Sequence, residues 1–302
     1  MDTTLGPVGF IGLGVMGEPI CRHLARKGPQ PVSGFDPDPA ALGRLASDGV
    51  RPAASVAEIG RTTGLVFLSL PSGEVVESVC RDTGGLLAQA RAGQVIVDLG
   101  TSSVAGTRRL AADFAARGAV FVDAPVARTR AAAEAGTLSV MVGADAAIFE
   151  RLHPWLATFA SEISLCGGSG CGQVLKILNN MVLFETVVAL SEARAIGRRA
   201  GVDPALLFEV LARGSADSFA LRNHGMKAIV PGEFPERAFS VAYARKDLRY
   251  ALALAQECGV EARSAELVDR CFERAIAAGD GDRYHPVISR LLDADNASHD
   301  SA

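Results

Sequence analysis

The sequence predicts an α/β fold in which a doubly wound parallel sheet precedes an all-helical domain organised on one long helix. Two observations support this prediction. In the first half of the chain, short apolar runs alternate with helical patterns, an order typical of parallel sheets covered by helices. After Gly201 the alternation stops, and only helical periods follow a long apolar segment that begins at Gly170.

Length and composition limit the class of protein. The chain has 302 residues, enough for two domains, and its 49% hydrophobic and 21% charged residues are typical of globular proteins. A net charge of -4 argues against general binding to nucleic acid or to a membrane surface. The six cysteines show no C-x-x-C pair and no metal-ligand spacing, which indicates buried, reduced thiols in a cytoplasmic protein and no metal site.

Neither a targeting segment nor a membrane span is predicted. Residues 1–4 carry no basic charge ahead of the first apolar run, so that run does not read as a signal peptide. No stretch of about 18 apolar residues continues without a polar interruption, as a membrane-spanning helix would require.

The first element is a buried strand at residues 8–11, followed at once by a glycine-rich turn and a helical pattern that ends at Gly28. The turn has the G-x-G-x-x-G spacing in the strand–turn–helix context of dinucleotide-binding sites. The first glycine makes the tight turn, the second lets the backbone approach a pyrophosphate, and the third allows close helix–strand packing. The candidate cofactor-binding residues here are Gly12, Leu13, Gly14, Val15, Met16 and Gly17.

The second strand, residues 31–35, ends at Asp36. A carboxylate at this point can accept hydrogen bonds from the adenosine ribose hydroxyls and repels a 2′-phosphate. Residues 37–39 supply no arginine, so the sequence favours NAD over NADP. Asp36 can also be read as the N-cap of a helix that begins near Pro39, and the two roles are compatible.

Three continuous apolar runs then predict central strands of a parallel sheet, at residues 65–70, 94–99 and 119–122. They are followed by Pro71-Ser72, by Thr101 and by Asp123. Ligands of such sheets gather at the carboxyl ends of the strands, so we expect these turns to line the site.

The predicted sheet domain ends with two further strands, at residues 138–142 and 162–166, separated by a helix at residues 145–159. The glycines that follow mark a domain boundary. We therefore predict a nucleotide-binding domain over residues 1–168 and a helical domain over residues 169–302.

The long apolar helix predicted after Gly170 would have about 28 residues and span ~42 Å. Lys176 and Asn180 are four residues apart, so they share one face near its beginning. A lysine in an apolar helix start either reaches solvent or takes part in chemistry, and spacing alone leaves both readings open. Helices are also predicted after Asp203, over residues 243–258 and over residues 264–278; Lys246-Asp247 is either a solvated ion pair or part of a site.

Four motifs occur in order along the chain: the glycine-rich turn with Met16, Asp123-Ala-Pro-Val126 running to Gly136-Thr-Leu138, the G-x-G-x-x-x-K-x-x-x-N run at residues 170–180, and Lys246-Asp247. In this the chain resembles the β-hydroxyacid dehydrogenase family, which includes 3-hydroxyisobutyrate dehydrogenase and tartronate semialdehyde reductase. The resemblance covers nearly the whole chain. It implies a Rossmann-type domain, an all-helical domain and a cleft between them.

The resemblance also implies roles for individual residues. Lys176 corresponds to the acid/base catalyst of the family, and Asn180 to a residue that helps to bind the substrate. The residues expected around the nicotinamide are Leu70, Pro71, Ser72, Thr101 and Lys246, with Thr101 also expected to contact the substrate.

The chain departs from the family pattern in one loop. Members usually carry Ser-Gly-Gly after Asp-Ala-Pro-Val, whereas this chain has Ala127-Arg128-Thr129. The variant is similar to the loop of sulfolactaldehyde reductases. Arg128 is either a surface charge or an anion-binding side chain, and its place after a strand favours the second; Ala127, Arg128 and Thr129 are candidate substrate-binding residues. An arginine fork suits sulfonate, carboxylate and phosphate alike.

The predicted reaction is hydride transfer between NAD and a short β-hydroxy acid or its semialdehyde. The alternatives are a sulfolactaldehyde reductase-type activity on a three-carbon sulfonate, an imine reductase, and a non-catalytic NAD-binding relative. Lys176 and the lack of a basic extension argue against the last two.

The expected partners are a small anionic substrate and further copies of the chain. A homodimer or homotetramer is predicted because the helices after Gly170 carry more apolar surface than one small domain can cover.

Overall fold

The computed structural model describes residues 5–236 and 238–294. They divide into two compact units, Met1–Lys176 and Ile177–Ala302. The first unit contains all the strands: β1 Val8–Ile11, β2 Val32–Phe35, β3 Arg51–Pro52, β4 Leu65–Leu68, β5 Val95–Asp98, β6 Val120–Asp123, β7 Val126–Ala127, β8 Leu138–Gly143 and β9 Ala160–Gly167.

Eight helices lie between these strands: α1 Gly17–Lys27, α2 Pro39–Gly43, α3 Val56–Thr62, α4 Gly73–Arg81, α5 Leu86–Gln89, α6 Val104–Ala115, α7 Arg130–Ala135 and α8 Ala146–Leu156. Several begin where a side-chain oxygen accepts a backbone N–H of the first turn, which satisfies one of the donors that a helix start leaves unpaired. Such N-caps are Asp38, Ser55, Ser72, Ser103, Thr129 and Asp145.

The sheet has the order β3-β2-β1-β4-β5-β6-β8-β7, with β9 paired to β8. Strands β1 to β6 are parallel, with Phe10 opposite both Gly34 and Phe67. The strand order reverses at β1, where β2 lies on one side and β4 on the other. Open parallel sheets bind ligands beyond the carboxyl ends of the strands at such a reversal.

Helices cover both faces of the sheet, as the doubly wound prediction requires. Alternate residues of a strand point to opposite faces. Phe10 and Phe67 accordingly belong to one hydrophobic core, in which Phe67 also meets the edge of Phe159 at 6.3 Å. Ile11 and Leu68, the next residues along the same strands, belong to the core on the other face.

The second unit is helical. Its helices are the greater part of α9 Cys171–Arg199, then α10 Pro204–Leu211, α11 Val241–Glu257, α12 Arg263–Ala277 and α13 Ser289–Ala294. A π-helix occupies Leu221–Ile229 and a 3-10 helix His285–Ile288. Their core contains Phe184, Phe208 and Phe272, all fully buried. Asp203 caps α10 through the backbone N–H of Leu206, as its position before Pro204 predicts.

Several details differ from the sequence prediction. β8 pairs with β6 in the antiparallel direction, so the last strands run against the parallel core of the sheet. The π-helix at Leu221–Ile229 was not anticipated. The six cysteines are free thiols, but the expectation that all are buried was wrong: only Cys21 and Cys80 are buried, and Cys258 is exposed.

The α9 helix spans 29 residues, close to the predicted length. By length and composition it could cross a membrane, a test that the core helix of a soluble protein also passes. The division between the two compact units falls inside this helix, after Lys176. The functional boundary at residues 168 and 169 stays a prediction.

Candidate active site

The candidate site of the first unit lies at the carboxyl ends of neighbouring parallel strands. Gly12 follows β1, Asp36 follows β2, and Leu70 lies just beyond β4. Thr101 lies just beyond β5, and β6 ends at Asp123 itself. The parallel pairing of these strands therefore brings residues from distant parts of the chain to one edge of the sheet.

The glycine-rich turn requires glycine at its first and last positions. Gly12 has φ +92, and a methyl group on its Cα would collide with the carbonyl oxygen of Ser69. A methyl group on Gly17 would collide with the carbonyl oxygen of Gly12, so the helix packs directly onto the turn. At Gly14 the same addition meets nothing within 4 Å, and the neighbouring Val15 is 51% exposed. The turn is closed toward the sheet and open outward, as a pyrophosphate cradle at a helix N-terminus must be.

Asp36 is tied to this turn. One carboxylate oxygen accepts the backbone N–H of Leu13 at 2.6 Å, and the other accepts the N–H of Asp38 at 2.9 Å. Asp38, not Asp36, caps the helix that begins at Pro39. The capping alternative for Asp36 was therefore wrong, and its carboxylate is held beside the glycine-rich turn.

The segment after β4 lies against the turns that follow β1 and β5. A methyl group on Gly12 would lie 3.0 Å from Cδ2 of Leu70, and one on Gly100 would lie 3.0 Å from the Leu70 carbonyl oxygen. Pro71 follows directly, and Ser72 caps α4 by accepting the N–H of Val75.

Thr101 is 5% exposed and lies between two residues that are held by the carboxylate of Asp98. Gly100 donates its N–H to Oδ1 of Asp98 at 2.8 Å, and Ser102 donates its hydroxyl to Oδ2 at 2.7 Å. The residues on both sides of Thr101 are therefore fixed to the end of β5, Gly100 through its backbone and Ser102 through its side chain.

A second buried carboxylate, that of Asp123, holds the beginning of α9. It accepts the backbone N–H of Gly170 at 2.7 Å and that of Gln173 at 2.9 Å. Burial raises the pKa of Asp123, and the backbone donors act in the opposite direction without cancelling that effect. A negative charge here complements the positive end of the helix.

The loop that departs from the family pattern has an unusual backbone. Arg128 has φ 85, and it is the one non-glycine residue with positive φ in the part of the chain that the structure describes. Its Nη1 donates to the carbonyl oxygen of Thr137 at 2.6 Å and to the hydroxyl of Ser161 at 3.0 Å. Ala127 ends β7, and Thr129 caps α7 through the N–H of Ala132. The guanidinium of Arg128 thus binds two residues of the first unit, to which Arg128 itself belongs. Substrate binding by Arg128 stays a prediction.

Lys176 and Asn180 lie on α9 with the predicted spacing of one helical turn. Lys176 is half-buried, and Asn180 is 2% exposed. Within the second unit, the amide nitrogen of Asn180 donates to the carboxylate of Asp247 at 2.8 Å. The other carboxylate oxygen of Asp247 pairs with Nζ of Lys246 at 3.0 Å.

Lys246 also lies over an aromatic ring, with Nζ 4.0 Å from the centroid of Tyr243. Lys246-Asp247 is therefore not a solvated surface ion pair. Asp247 is 1% exposed, and its carboxylate contacts both Lys246 and Asn180. Among residues 5–236 and 238–294, no cluster of histidine, cysteine and carboxylate side chains has the arrangement of a metal site.

Sequence reasoning missed Asp98 and the side chain of Gln173, and it took Asp123 only as part of a motif. Two signals could have pointed to them: acidic residues lie at or directly after the end of two otherwise apolar strand runs, and a glutamine lies in the first turn of an apolar helix. Buried polar groups of this kind need partners.

Comparison with known proteins covers both halves of the chain. Residues 7–168 match the family model described as the NAD binding domain of 6-phosphogluconate dehydrogenase. Residues 170–292 match the model described as NAD-binding of NADP-dependent 3-hydroxyisobutyrate dehydrogenase.

Curated relatives are similar over nearly their whole length. The chain is 34% identical to a 2-(hydroxymethyl)glutarate dehydrogenase of Eubacterium barkeri, over 91% of this chain and 90% of that protein. It is 33% identical to a 2-hydroxy-3-oxopropionate reductase of Escherichia coli K12, over 95% and 97%. An NAD-dependent L-serine dehydrogenase of Pseudomonas aeruginosa is 30% identical, over 95% and 97%.

Among solved structures, a Mycobacterium tuberculosis 3-hydroxyisobutyrate dehydrogenase with L-serine superposes with a TM-score of 0.87 at 30% identity. The alignment covers 96% of this chain and 99% of that one. An imine reductase from Myxococcus stipitatus superposes with a TM-score of 0.65 at 17% identity, a likeness that concerns the fold alone.

Proposed function

The chain belongs to the β-hydroxyacid dehydrogenase family, and from that premise we propose that it catalyses reversible hydride transfer between NAD and a short β-hydroxy acid or its semialdehyde. It is an NAD-dependent oxidoreductase of CH–OH groups. The observation that supports the proposal best is the outward-open glycine turn with the carboxylate of Asp36 bound beside it.

The residues of the glycine-rich turn fit NAD. The backbone of Gly12 to Gly17 would hold the pyrophosphate, and Asp36 would accept the ribose hydroxyls. Leu70, Pro71, Ser72, Thr101 and Lys246 complete the proposed contacts with the cofactor. When bound, NAD supplies the hydride acceptor or donor.

Lys176 is the proposed acid/base catalyst. Its ammonium group protonates the nascent alkoxide in reduction, and its neutral form accepts the alcohol proton in oxidation. General acid–base help of this kind contributes about 10²–10⁴-fold to the rate. Asn180 is proposed to bind the substrate, and this role is supported by the contact of its amide with Asp247, which keeps the Asn180 side chain in one orientation.

The substrate is proposed to carry a small anionic group that Arg128 binds. Thr101, Ala127 and Thr129 are proposed as further contacts of the substrate. The guanidinium uses Nη1 for its two hydrogen bonds within the described residues, which leaves the Nη2 and Nε edges as donors for a planar or tetrahedral acid group. The Arg128 loop is also the observation that favours the second candidate function, reduction of a three-carbon sulfonate such as sulfolactaldehyde.

We further propose a cytoplasmic homodimer or homotetramer with the functional domain boundary at residues 168 and 169. Relatives named as dehydrogenases of small hydroxy acids support the substrate class. The assembly is supported by exposed apolar side chains of the helical unit, such as Val182 and Ile196.

The test is NAD reduction, followed at 340 nm, with 3-hydroxyisobutyrate, glycerate, dihydroxypropanesulfonate and L-serine. The unmodified chain is compared with Lys176→Ala, for which we expect kcat to fall by roughly two to four orders of magnitude while calorimetric NAD binding is retained. A Lys176→Ala variant that keeps most of its turnover would remove this lysine from the mechanism. No activity on any member of the panel would contradict the proposed function.

A further inference from the structure

One glutamine side chain holds the loop that contains Thr101. Gln173 is 0% exposed and comes from the first turn of α9. Its Oε1 accepts the backbone N–H of Ser102 at 3.0 Å, and its Nε2 donates to the carbonyl oxygen of Gly100 at 2.9 Å. Both neighbours of Thr101 are therefore bound by the same amide, across separations of 71 and 73 residues.

The same loop is also bound by Asp98, through the N–H of Gly100 and the hydroxyl of Ser102. Each neighbour of Thr101 thus has one hydrogen bond to the end of β5 and one to α9. We call these four bonds, from Asp98 and Gln173 to residues 100–102, the clamp.

The backbone of Gln173 is fixed as well. Its N–H and that of Gly170 bind the two carboxylate oxygens of Asp123, at the end of β6. Gly172 brings the helix so close to β8 that a methyl group on its Cα would collide with the carbonyl oxygen of Met141. The first turn of α9 therefore has little freedom to shift along the edge of the sheet.

Lys176 follows Gln173 by three residues in the same helix, a spacing that puts both on one side of α9. We propose that Gln173 is a positioning residue, which fixes the loop of Thr101 relative to the helical turn of Lys176. This inference rests on the proposed function, in which Thr101 contacts cofactor and substrate and Lys176 transfers the proton. In this proposal Gln173 contacts neither cofactor nor substrate, and it sets the relative position of Thr101 and Lys176, which do.

The hydrogen bonds of Gln173 position the loop because hydrogen bonds depend on direction as well as on distance. Apolar packing tolerates sliding, whereas two hydrogen bonds from one planar amide fix both distance and angle. A misplacement of about 1 Å between reacting groups can lower a rate by about 10²-fold. Loss of the clamp should therefore lower kcat more than it raises the KM for NAD, whose other contacts lie on different loops.

The test compares Gln173→Met with a matched control, Gln94→Met. Gln94 is another buried glutamine of the same unit, and it lies at the opposite end of β5. Its Nε2 donates to the carbonyl oxygens of Gly60 and Thr63, at 2.8 and 2.9 Å. Both variants replace a buried amide that makes two hydrogen bonds by a side chain of similar length.

Both variants should lower the melting temperature. Only Gln173→Met should lower kcat, by roughly 10- to 100-fold, with the KM for NAD within about threefold of the unmodified value. If Gln173→Met does not fold, Gln173→Glu serves instead, because it keeps the acceptor for Ser102 and places a carboxylate oxygen against the Gly100 carbonyl. Equal kcat values in the Gln94 variant and in the Gln173 variant that folds would overturn the positioning role.

Hydrogen–deuterium exchange gives a readout that needs no activity. The amide of Ser102 should exchange faster in Gln173→Met than in the unmodified chain and remain protected in Gln94→Met. Unaltered exchange at Ser102 would contradict the clamp itself. Failure of the proposed function would instead appear in the unmodified chain, as the absence of NAD reduction with every substrate of the panel.

Discussion

At the scale of single residues, Asp36 is the residue proposed to select NAD over NADP. Its carboxylate is held beside the glycine-rich turn by the N–H groups of Leu13 and Asp38. The Asp36→Ser variant should lose about 10- to 100-fold in kcat/KM with NAD, because a charge-assisted hydrogen bond contributes about 1.5–3 kcal/mol. Its preference for NAD over NADP should narrow, because the repulsion of a 2′-phosphate is removed.

The measurement is kcat/KM with both cofactors for the unmodified chain and for Asp36→Ser. Asp38→Ser is the control, because it changes the neighbouring carboxylate, which caps α2. Equal or better activity of the unmodified chain with NADP would contradict the role of Asp36.

Arg128 combines backbone strain with a proposed role in substrate binding, and two variants separate the two effects. Both Arg128→Gly and Arg128→Ala remove the guanidinium and its bonds to Thr137 and Ser161. Only glycine also removes the Cβ at φ 85, so Arg128→Gly should be more stable than Arg128→Ala by about 1 kcal/mol. Urea unfolding of the two variants measures this difference.

If Arg128 binds the substrate anion, Arg128→Gly and Arg128→Ala should raise the KM for the substrate by about 10- to 100-fold, and by the same factor in both variants. The comparison is made with a carboxylate and with a sulfonate substrate. Unchanged KM values in both variants would leave Arg128 as a residue of its own loop and reopen the question of the substrate anion.

The sequence could predict residues whose role follows from local pattern, and Gly12, Gly17 and Asp36 belong to this class. It could not predict the partners of Gln173, because a buried glutamine at a helix start is compatible with many neighbours. The contacts span 71 and 73 residues, and only the fold brings them together. For the same reason, the contacts of Arg128 with Thr137 and Ser161 were not foreseen.

At the scale of elements, the helical unit contains a buried cluster of histidine and aromatic rings. His285 is fully buried, with its ring centroid 5.2 Å from Phe184 and 5.1 Å from His224. Neither ring nitrogen of His285 has a hydrogen-bond partner among the described residues. The hydroxyl of Tyr284 and Nδ1 of His224 form a hydrogen bond.

Burial lowers the pKa of His224 to about 4, and burial together with the neighbouring His224 lowers the pKa of His285 well below its usual value. An unfolded histidine binds its proton near pH 6.5. The contribution of these neutral rings to stability is therefore full above about pH 6.5 and decreases as the pH falls below it; for His224 the decrease is complete only below about pH 4. For His224 the loss is on the order of 3 kcal/mol.

His285→Phe should reduce this acid sensitivity, because it removes one of the two rings that must stay neutral in the folded unit. The melting temperature is measured at pH 7.5 and pH 5. The decrease in melting temperature from pH 7.5 to pH 5 should be smaller for His285→Phe than for the unmodified chain. For the control His153→Gln, whose histidine is exposed, the decrease should equal that of the unmodified chain. An equal drop in all three proteins would contradict the assignment of the acid sensitivity to this cluster.

The elements themselves were largely predictable, because apolar runs and helical periods are local signals. Predicted strands at residues 65–70 and 138–142 correspond to β4 and β8, and the long helix begins within a residue of its predicted start. The antiparallel direction of β8 was not predictable, since it depends on pairing with β6 and not on its own composition. The π-helix at Leu221–Ile229 likewise has no simple sequence period.

At the scale of the whole molecule, the exposed apolar side chains of the helical unit predict self-association. Exposed fractions are 56% for Val182, 68% for Ile196, 55% for Leu206, 55% for Val210 and 58% for Phe219. Apolar surface of this kind is stabilised when a second copy covers it. Light scattering at micromolar concentration should give a mass at least twice 31.4 kDa. A charged substitution such as Leu206→Glu should lower the mass, whereas Val260→Glu, at a separate exposed position on a loop, serves as the control.

A mass near that of a single chain would contradict this prediction. It would leave the proposed pyrophosphate and ribose contacts untouched, because the glycine-rich turn and Asp36 lie within the first unit.

The anchoring of α9 has a consequence for biosynthesis. Gly100, Ser102, Asp123 and Met141, which lie against the beginning of this helix, all precede it in the chain. Ribosomes add about 5–20 residues per second, so these partners leave the exit tunnel seconds before the helix that binds them. The first turn of the nascent helix therefore meets a docking surface that has already been synthesised, whereas the rest of its apolar face is covered only when the later helices of the second unit follow.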